Sequence, residues 1–253
     1  MPPQEQTVTI DGRRLRLSRL DKVLYPATGT TKAEVVDYYA RIAPLILPHL
    51  DGRPVTRKRW PDGVGTGDGA DEPTSFFAKD LERGTPEWVP RTGIAHSTGL
   101  KHYPLVRDVP TLVWLAQTAS LELHIPQWRF TADDEPGDPD RIVFDLDPGP
   151  GVGLPECAEV ARLARRILDG MGLSPLPVTS GSKGIHLYSP LPPGQTSDQA
   201  SALARELARS LEADHPDLVV SAMSKAARPG KVFVDWSQNN GKKTTIAPYS
   251  LRG

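Results

Sequence analysis

Two aspartates at alternate positions of a short apolar run, Arg141-Ile142-Val143-Phe144-Asp145-Leu146-Asp147, constrain this chain more than any other feature. Successive side chains of a strand point to opposite faces, so Ile142, Phe144 and Leu146 enter a core while Asp145 and Asp147 stand side by side on the other face. Adjacent carboxylates repel, and a divalent cation that takes hard oxygen ligands, Mg²⁺ or Mn²⁺, removes the repulsion. A third aspartate lies on a second predicted strand, Lys231-Val232-Phe233-Val234-Asp235-Trp236. With Asp235 added, the cluster can hold two metals that clamp a triphosphate and activate a sugar hydroxyl, which is nucleotidyl-transfer chemistry. An Asp-x-Asp triplet alone also occurs in caps, turns and solvated strand ends. The apolar residues before both acidic positions place these carboxylates where a buried strand emerges.

Between the two strands runs Val178-Thr179-Ser180-Gly181-Ser182-Lys183-Gly184-Ile185-His186-Leu187-Tyr188. It reads as a small-residue turn entering a strand. The two glycines let backbone N–H groups approach an anion, and the hydroxyls and lysine can bind it. His186 and Tyr188 share one strand face. The plainer alternative is a Gly-Ser hairpin with a core histidine. The spacing of a Walker loop is absent, so a phosphate cradle here is of another kind.

The 253 residues suffice for one large domain or two closely joined lobes, and the formal net charge of −1 means that nucleic acid must meet a local basic surface. Residues 53–60 offer one: Arg57-Lys58-Arg59 precede Trp60, either as a nucleotide contact or as a solvated charged strand. Cys157 is the only cysteine, which excludes an internal disulfide and a cysteine-rich zinc site. No apolar run approaches a membrane span, and a cytoplasmic setting is the default.

Residues 7–17 alternate like one strand. A helix is expected from Thr30-Thr31-Lys32-Ala33-Glu34 to about Leu47, with Thr31 and Glu34 in capping-box spacing and Val35, Tyr38, Tyr39, Ile42 and Leu45 on one face. Lys32 in the first turn opposes the helix dipole unless an anion docks at that N-terminus, and Lys22 is a second arm; the alternative is a pair of exposed lysines. Residues 61–75 read as a Gly- and Asp-rich loop. Phe76-Phe77 follow as a strand entry or a platform for stacked bases. A helix over 111–121, Glu122-Leu123-His124 with His124 as a satisfied polar group, and an acidic loop over 132–140 come next. Helices at 155–171 and 197–213 and strands at 176–179, 184–189, 218–222, 231–235 and 244–247 complete an α/β (α+β) pattern: mixed sheets flanked by helices, with an open cleft before the aspartates.

These blocks resemble the polymerase domain of bacterial DNA ligase D, in the archaeo-eukaryotic primase superfamily. The resemblance rests on Asp21-Lys22-Val23-Leu24-Tyr25-Pro26, Thr28-Gly29-Thr30-Thr31-Lys32, Arg57-Lys58-Arg59-Trp60-Pro61, Glu122-Leu123-His124, Phe144-Asp145-Leu146-Asp147-Pro148-Gly149, residues 179–188, 230–239 and 244–253. It implies a primase-like fold and a single catalytic domain over residues 1–253 that lacks its C-terminal continuation. It further implies that Asp145, Asp147 and Asp235 bind two divalent ions, with Mn²⁺ favoured. Ser180, Lys183 and His186 would hold the triphosphate, helped by Lys58, His124, Gln238 and Arg252. Lys22 and Lys32 would bind a 5′-phosphate, Phe76 and Phe77 would stack on template bases, and Arg59 would lie near the template. Where many relatives carry Asn before the Asp-Lys-Val block, this chain has Arg19.

The sequence therefore reads as a template-directed nucleotidyltransferase that fills gaps and extends ends in non-homologous end joining. The resemblance implies a ribonucleotide preference and, as partners, DNA with gaps or double-strand breaks, nucleoside triphosphates, bacterial Ku and a ligase module, at the nucleoid. The alternatives are a non-catalytic DNA-end binding module and a two-metal nuclease, the latter leaving Ser180, Lys183 and His186 without a purpose.

Overall fold

The computed structural model describes residues 5–65 and 74–253, so positions 66–73 of the expected Gly- and Asp-rich loop lie outside the described residues. The chain divides into two compact units, Met1–Ile125 with Ile246–Gly253, and Pro126–Thr245.

The first unit opens with β1 (Glu5–Ile10) antiparallel to β2 (Arg13–Ser18). The single strand expected over residues 7–17 is thus a hairpin. It turns at Asp11 and Gly12, with φ of 47° and 74°, the Asp-Gly geometry that suits a two-residue turn. The alternation survives the fold because Val8 pairs with Leu15 across the turn. A ribbon of β3 (Val23–Tyr25) and β4 (Thr30–Thr31) then feeds α1 (Lys32–Leu50). Its capping box forms as expected: Glu34 N–H donates to Thr31 Oγ1 at 3.4 Å and Thr31 N–H to the Glu34 carboxylate at 2.7 Å. The helix continues past Leu47 to Leu50, through Pro44 and Pro48, because Val35, Tyr39, Ala43, Ile46 and Leu50 form its buried stripe. Leu45, expected on that stripe, is 52% exposed.

Next come β5 (Thr56–Arg59), β6 (Phe76–Ala78), the hairpin of β7 (Arg91–His96) and β8 (Gly99–Pro104), α2 (Val109–Gln117) and β9 (Ser120–Ile125). The helix expected over 111–121 stops early because Ala119 turns to a φ of 55° and Ser120 starts β9. Strand β5 lies between β6 and β9, antiparallel to both. Leu24, Val35, Tyr39, Ile46, Leu112, Leu121 and Leu123 share this unit's main core.

In the second unit β10 (Trp128–Phe130) pairs with β11 (Pro136–Pro139), so the stretch expected as an acidic loop carries a strand. Thr131 N–H donates to Glu135 O at 2.8 Å and closes the intervening turn. Then follow β12 (Arg141–Pro148), α3 (Leu154–Gly170), β13 (Leu176–Thr179), β14 (Ile185–Pro190), α4 (Ser197–Asp214), β15 (Val219–Val220) and β16 (Val232–Asp235), where the sequence places them. The sheet has the order β13-β14-β12-β16-β15, with β12 antiparallel to both neighbours. Ile142, Phe144 and Leu146 pack with Val160, Ala164 and Leu168 of α3 and with Ala204, Leu207 and Leu211 of α4. Both helices therefore cover one face of β12 and leave the aspartates on the other. A last strand, β17 (Thr245–Ile246), edges the sheet β17-β9-β5-β6. Among the described residues no helix is long and apolar enough to cross a membrane.

Candidate active site

Strand register groups the acidic residues. Asp145 on β12 stands directly opposite His186 on β14 and Asp235 on β16, while Asp147 shares the face opposite Phe233. His186 Nε2 lies 3.2 Å from Asp145 Oδ1. The contact lacks hydrogen-bond direction, so this buried oxygen accepts no hydrogen bond. A buried acceptor without a donor is costly, and a cation would satisfy it. Asp147 is pushed up to about 6, first by burial and then by the charges of Asp145 and Asp235, against relief from His186 and Arg228. The face is thus short of positive charge, and its oxygen donors suit Mg²⁺ or Mn²⁺. Among the described residues, however, no three His, Cys, Asp or Glu side chains close into a finished ligand set.

Asp235 is held more firmly than its neighbours. Its Oδ1 accepts from Ser237 N–H at 2.9 Å and Ser237 Oγ–H at 2.5 Å, and its Oδ2 from Gln238 Nε2 at 3.0 Å. Lys243 Nζ donates in turn to Ser237 Oγ. Strand β16 ends at Asp235, and Asn239 continues its role: the Asn239 amide donates to Val143 O at 2.7 Å and accepts from Val143 N–H at 2.8 Å. A side chain thereby locks β12 in register two residues before Asp145.

The turn before β14 differs in detail from the expected cradle. Ser180 is buried, and its Oγ accepts from Ser182 N–H at 3.3 Å and Gly184 N–H at 3.1 Å, so these amides serve the turn itself. Gly184 is required for packing, since a Cβ there would lie 2.0 Å from Leu146 O. Gly181 takes a φ of 73° and Lys183 is exposed at the tip. The loop is fastened by its glycine to the strand that carries both aspartates.

In the first unit, β5 sorts its charges by face. Lys58 Nζ is 3.3 Å from Glu122 Oε1, and His124 Nε2 is 2.9 Å from Glu122 Oε2. Lys58 Nζ also lies 4.3 Å from the centroid of Trp60, and the Phe77 ring meets His124 edge-on at 5.3 Å. Burial opposes the Glu122 charge, but the hydrogen bond and charge of His124, aided by Gly253 N–H and Lys58, hold the carboxyl below its usual range. On the other face Arg59 reaches Glu82 and lies 5.5 Å from the Phe76 ring. Arg53 and Arg57, expected in a basic surface patch, are fully buried, so Lys58 and Arg59 are what that patch presents. Phe76 and Phe77 are 43% and 60% exposed, as a stacking platform requires. Arg252 O accepts from Tyr25 Oη at 2.9 Å, which fixes the backbone of that arginine.

Of the two lysines expected at a 5′-phosphate, Lys22 pairs with Asp62 at 2.8 Å. Lys32 is nearly buried, against the expectation of an exposed arm, and its Nζ donates to Ser18 O at 2.8 Å. Burial first, then the charges of Arg19 and Lys22, push its pKa down. Arg19 has a φ of 51°, a left-handed conformation that few non-glycine residues adopt, and it adds a positive charge beside Lys32.

Comparison with known proteins identifies the family. The family described as "LigD, primase-polymerase domain" matches residues 31–253. The chain belongs to the LigD primase-polymerase family. As a LigD primase-polymerase domain it is a DNA-directed nucleotidyltransferase. It is 53% identical over 246 residues to the multifunctional non-homologous end joining protein LigD of Mycobacterium bovis, covering 95% of this chain and 32% of that protein. The bifunctional LigD of Bacillus subtilis is 30% identical over 241 residues, covering 95% and 37%. The chain thus spans about a third of the relatives it matches. A solved structure described as the polymerase domain from Mycobacterium tuberculosis ligase D in complex with DNA superposes with a TM-score of 0.89 at 52% identity, covering 95% of this chain and 83% of that one.

Sequence reasoning about this LigD primase-polymerase domain gave no role to Glu82, Asn239, Ser237 or Lys243. Ser237 carried a local signal, because Asp followed two residues later by Ser is a turn-capping pattern. Glu82 and Asn239 act through contacts distant in sequence, and Lys243 through its bond to Ser237.

Proposed function

We propose that this domain adds nucleotides to primer ends at gaps and breaks during non-homologous end joining, with ribonucleoside triphosphates as the favoured substrates and two Mn²⁺ or Mg²⁺ ions as cofactors. The observation that carries the reading is the register that sets Asp145 opposite both Asp235 and His186, with Asp147 beside it on one sheet face. When bound, the ions supply activation of the primer 3′-hydroxyl and neutralise charge on the phosphates. The hydroxyl oxygen would bond to the α-phosphorus, its proton passing to solvent, as the bond to the departing pyrophosphate breaks. Asp145 and Asp147 provide the oxygen donors. Asp235, fixed by Ser237 and Gln238, suits a rigid ligand better than a mobile base. Ser180, Lys183, His186 and Gln238, with Lys58, His124 and Arg252, bind the nucleotide; Phe76, Phe77 and Arg59 meet the template. Lys22 and Lys32 bind the 5′-phosphate across the gap, a role supported by the charge that Arg19 adds beside them. Bacterial Ku and a ligase module are the partners, in the cytoplasm at the nucleoid.

The test is nucleotide addition on a short-gapped duplex with Mn²⁺, comparing ribo- with deoxyribonucleotides and a 5′-phosphate with a 5′-hydroxyl, with Asp147→Ala as control. Templated addition that vanishes in the variant and weakens without the 5′-phosphate is the expected result. Tight phosphate-dependent binding without addition would instead identify a DNA-end binding module.

A further inference from the structure

The loop after β6 places a carboxylate where nothing in the reaction asks for one. Glu82 Oε2 accepts from Arg57 Nη1 at 2.8 Å and Oε1 from Arg59 Nη1 at 2.6 Å, so one carboxylate bridges two guanidiniums of the same strand. Arg57 has 0% side-chain exposure, whereas Arg59 keeps 20% and Glu82 38%. Arg57 also donates to Asp80 O. The loop is fastened independently: Leu81 N–H donates to His102 O at 2.9 Å, Asp80 Oδ1 accepts from His102 N–H at 2.7 Å, and Thr85 Oγ1 donates to Glu82 O at 2.8 Å. The carboxylate is therefore fixed by its own loop and by buried Arg57, and Arg59, which keeps 20% of its side-chain exposure, is the group that it holds.

Arg59 has a second fixed acceptor, since its Nε donates to Thr118 O at 2.9 Å. With Nε and Nη1 both committed to the protein, the plane of the guanidinium fork is set. It lies against Phe76, its cross-strand partner, a residue 43% exposed. Arginine and ring form one rigid surface of charge and π-face, the combination that suits a single nucleic-acid strand.

We propose that Glu82 is a positioning residue for the template strand, holding Arg59 against Phe76 so that both meet the DNA as a preformed surface. This rests on the reading of Arg59 and Phe76 as template contacts. Pre-organisation of this kind lowers the ordering cost of binding, so its loss appears in DNA affinity and in template dependence and not in the chemical step. Burial opposes the Glu82 charge, and Arg57 and Arg59 outweigh it and keep the carboxyl ionised at neutral pH, so the clamp is charged where the enzyme works.

The 253-residue chain, Glu82→Gln, Arg59→Ala and the double variant are compared on gapped duplex DNA. KM for DNA, KM for nucleotide, kcat and the fraction of template-matched additions are measured, with a melting curve for each protein. Glu82→Gln is expected to raise KM for DNA about tenfold and to lower the matched fraction, with kcat and nucleotide KM within about twofold. It should add nothing further in the Arg59→Ala background. A folded Glu82→Gln with unchanged DNA KM, or an effect that adds fully to Arg59→Ala, overturns the role of Glu82 alone. An Arg59→Ala with unchanged DNA KM overturns the template reading, and the proposal with it. Should Glu82→Gln fail to fold because Arg57 loses its partner, Glu82→Asp decides: it keeps the charge but is one methylene too short to bridge both guanidiniums. A folded Glu82→Asp is expected to show the same rise in DNA KM, and an unchanged value overturns the proposal.

Discussion

The two units handle carboxylates in opposite ways. In the first, Glu122 lies between Lys58 and His124 and Glu82 between Arg57 and Arg59, and both carboxyls are held below their usual range once these partners offset burial. In the second, Asp145, Asp147 and Asp235 share one sheet face, where His186 and Arg228 relieve only part of the repulsion, and Asp147 rises to about 6. A carboxylate supplied with cations by the fold has its energetic needs met and acts as scaffold. Asp145 and Asp147 are left short of such partners and suit a cation from outside the chain. The difference teaches where to look for a ligand: at the charge that folding leaves uncompensated, and not simply at the most acidic surface.

The comparison breaks most visibly on activity. Asp145→Ala should lower nucleotide addition on gapped DNA by at least about a thousandfold, because it removes the donor shared by both neighbouring strands. Primer extension checks it; a loss below tenfold in a folded variant would mean that this face is not the reaction centre. Stability should run the other way around. Glu122→Gln removes the shared partner of Lys58 and His124 and should cost about 3 kcal/mol in urea unfolding, at the low end for a broken buried pair because Lys58 keeps 23% of its side-chain exposure. Asp147→Asn in metal-free protein should instead be neutral or stabilising, since it relieves repulsion. If both variants destabilise equally, the contrast between the units is wrong.

Much of this was legible in the sequence, and the reasons are local. Capping residues and apolar periodicity place α1, α3 and α4, and alternation puts Asp145 and Asp147 on one face. The failures are local too: Asp11-Gly12 folds the N-terminal strand into a hairpin without disturbing its alternation, and Leu50 draws α1 past Pro48. What the sequence could not yield was pairing at a distance. The acidic pattern already grouped Asp235 with Asp145 and Asp147, but the register that sets Asp145 opposite Asp235, the reach of Glu82 to Arg59 and the bonds of Asn239 to Val143 are facts of tertiary contact that residue type does not carry. Lys32 shows the reverse limit, because its charge suggested an exposed arm while the fold buries it.

Asn239 tests how far the acidic face depends on rigid strands. Asn239→Leu keeps the volume but leaves the N–H and C=O of Val143 unpaired in a buried setting, which should cost about 2 kcal/mol. Denaturant unfolding gives the stability loss, and nucleotide addition should fall with it, as Asp145 loses its register. Full activity in a destabilised variant would show that the face tolerates slack in β12.

The smallest expected effect is a pH dependence, and its sign follows from Asp147. A carboxyl raised from its ordinary value to about 6 binds more protons folded than unfolded between those limits, so its contribution to stability is present at the acidic end and lost as pH rises through about 6. Mn²⁺ needs the ionised form, so it should bind weakly below that range and strongly above it. The rise in Tm on adding saturating Mn²⁺ should therefore be near zero at pH 5 and a few degrees, about 2–4 °C, at pH 7.5. In Asp147→Asn the step near pH 6 should disappear. A Tm shift that is flat from pH 5 to 7.5 in the parent chain would mean that Asp147 does not titrate on a face that binds Mn²⁺. The second unit's carboxylates would then be as fully compensated as Glu122 and Glu82 are in the first.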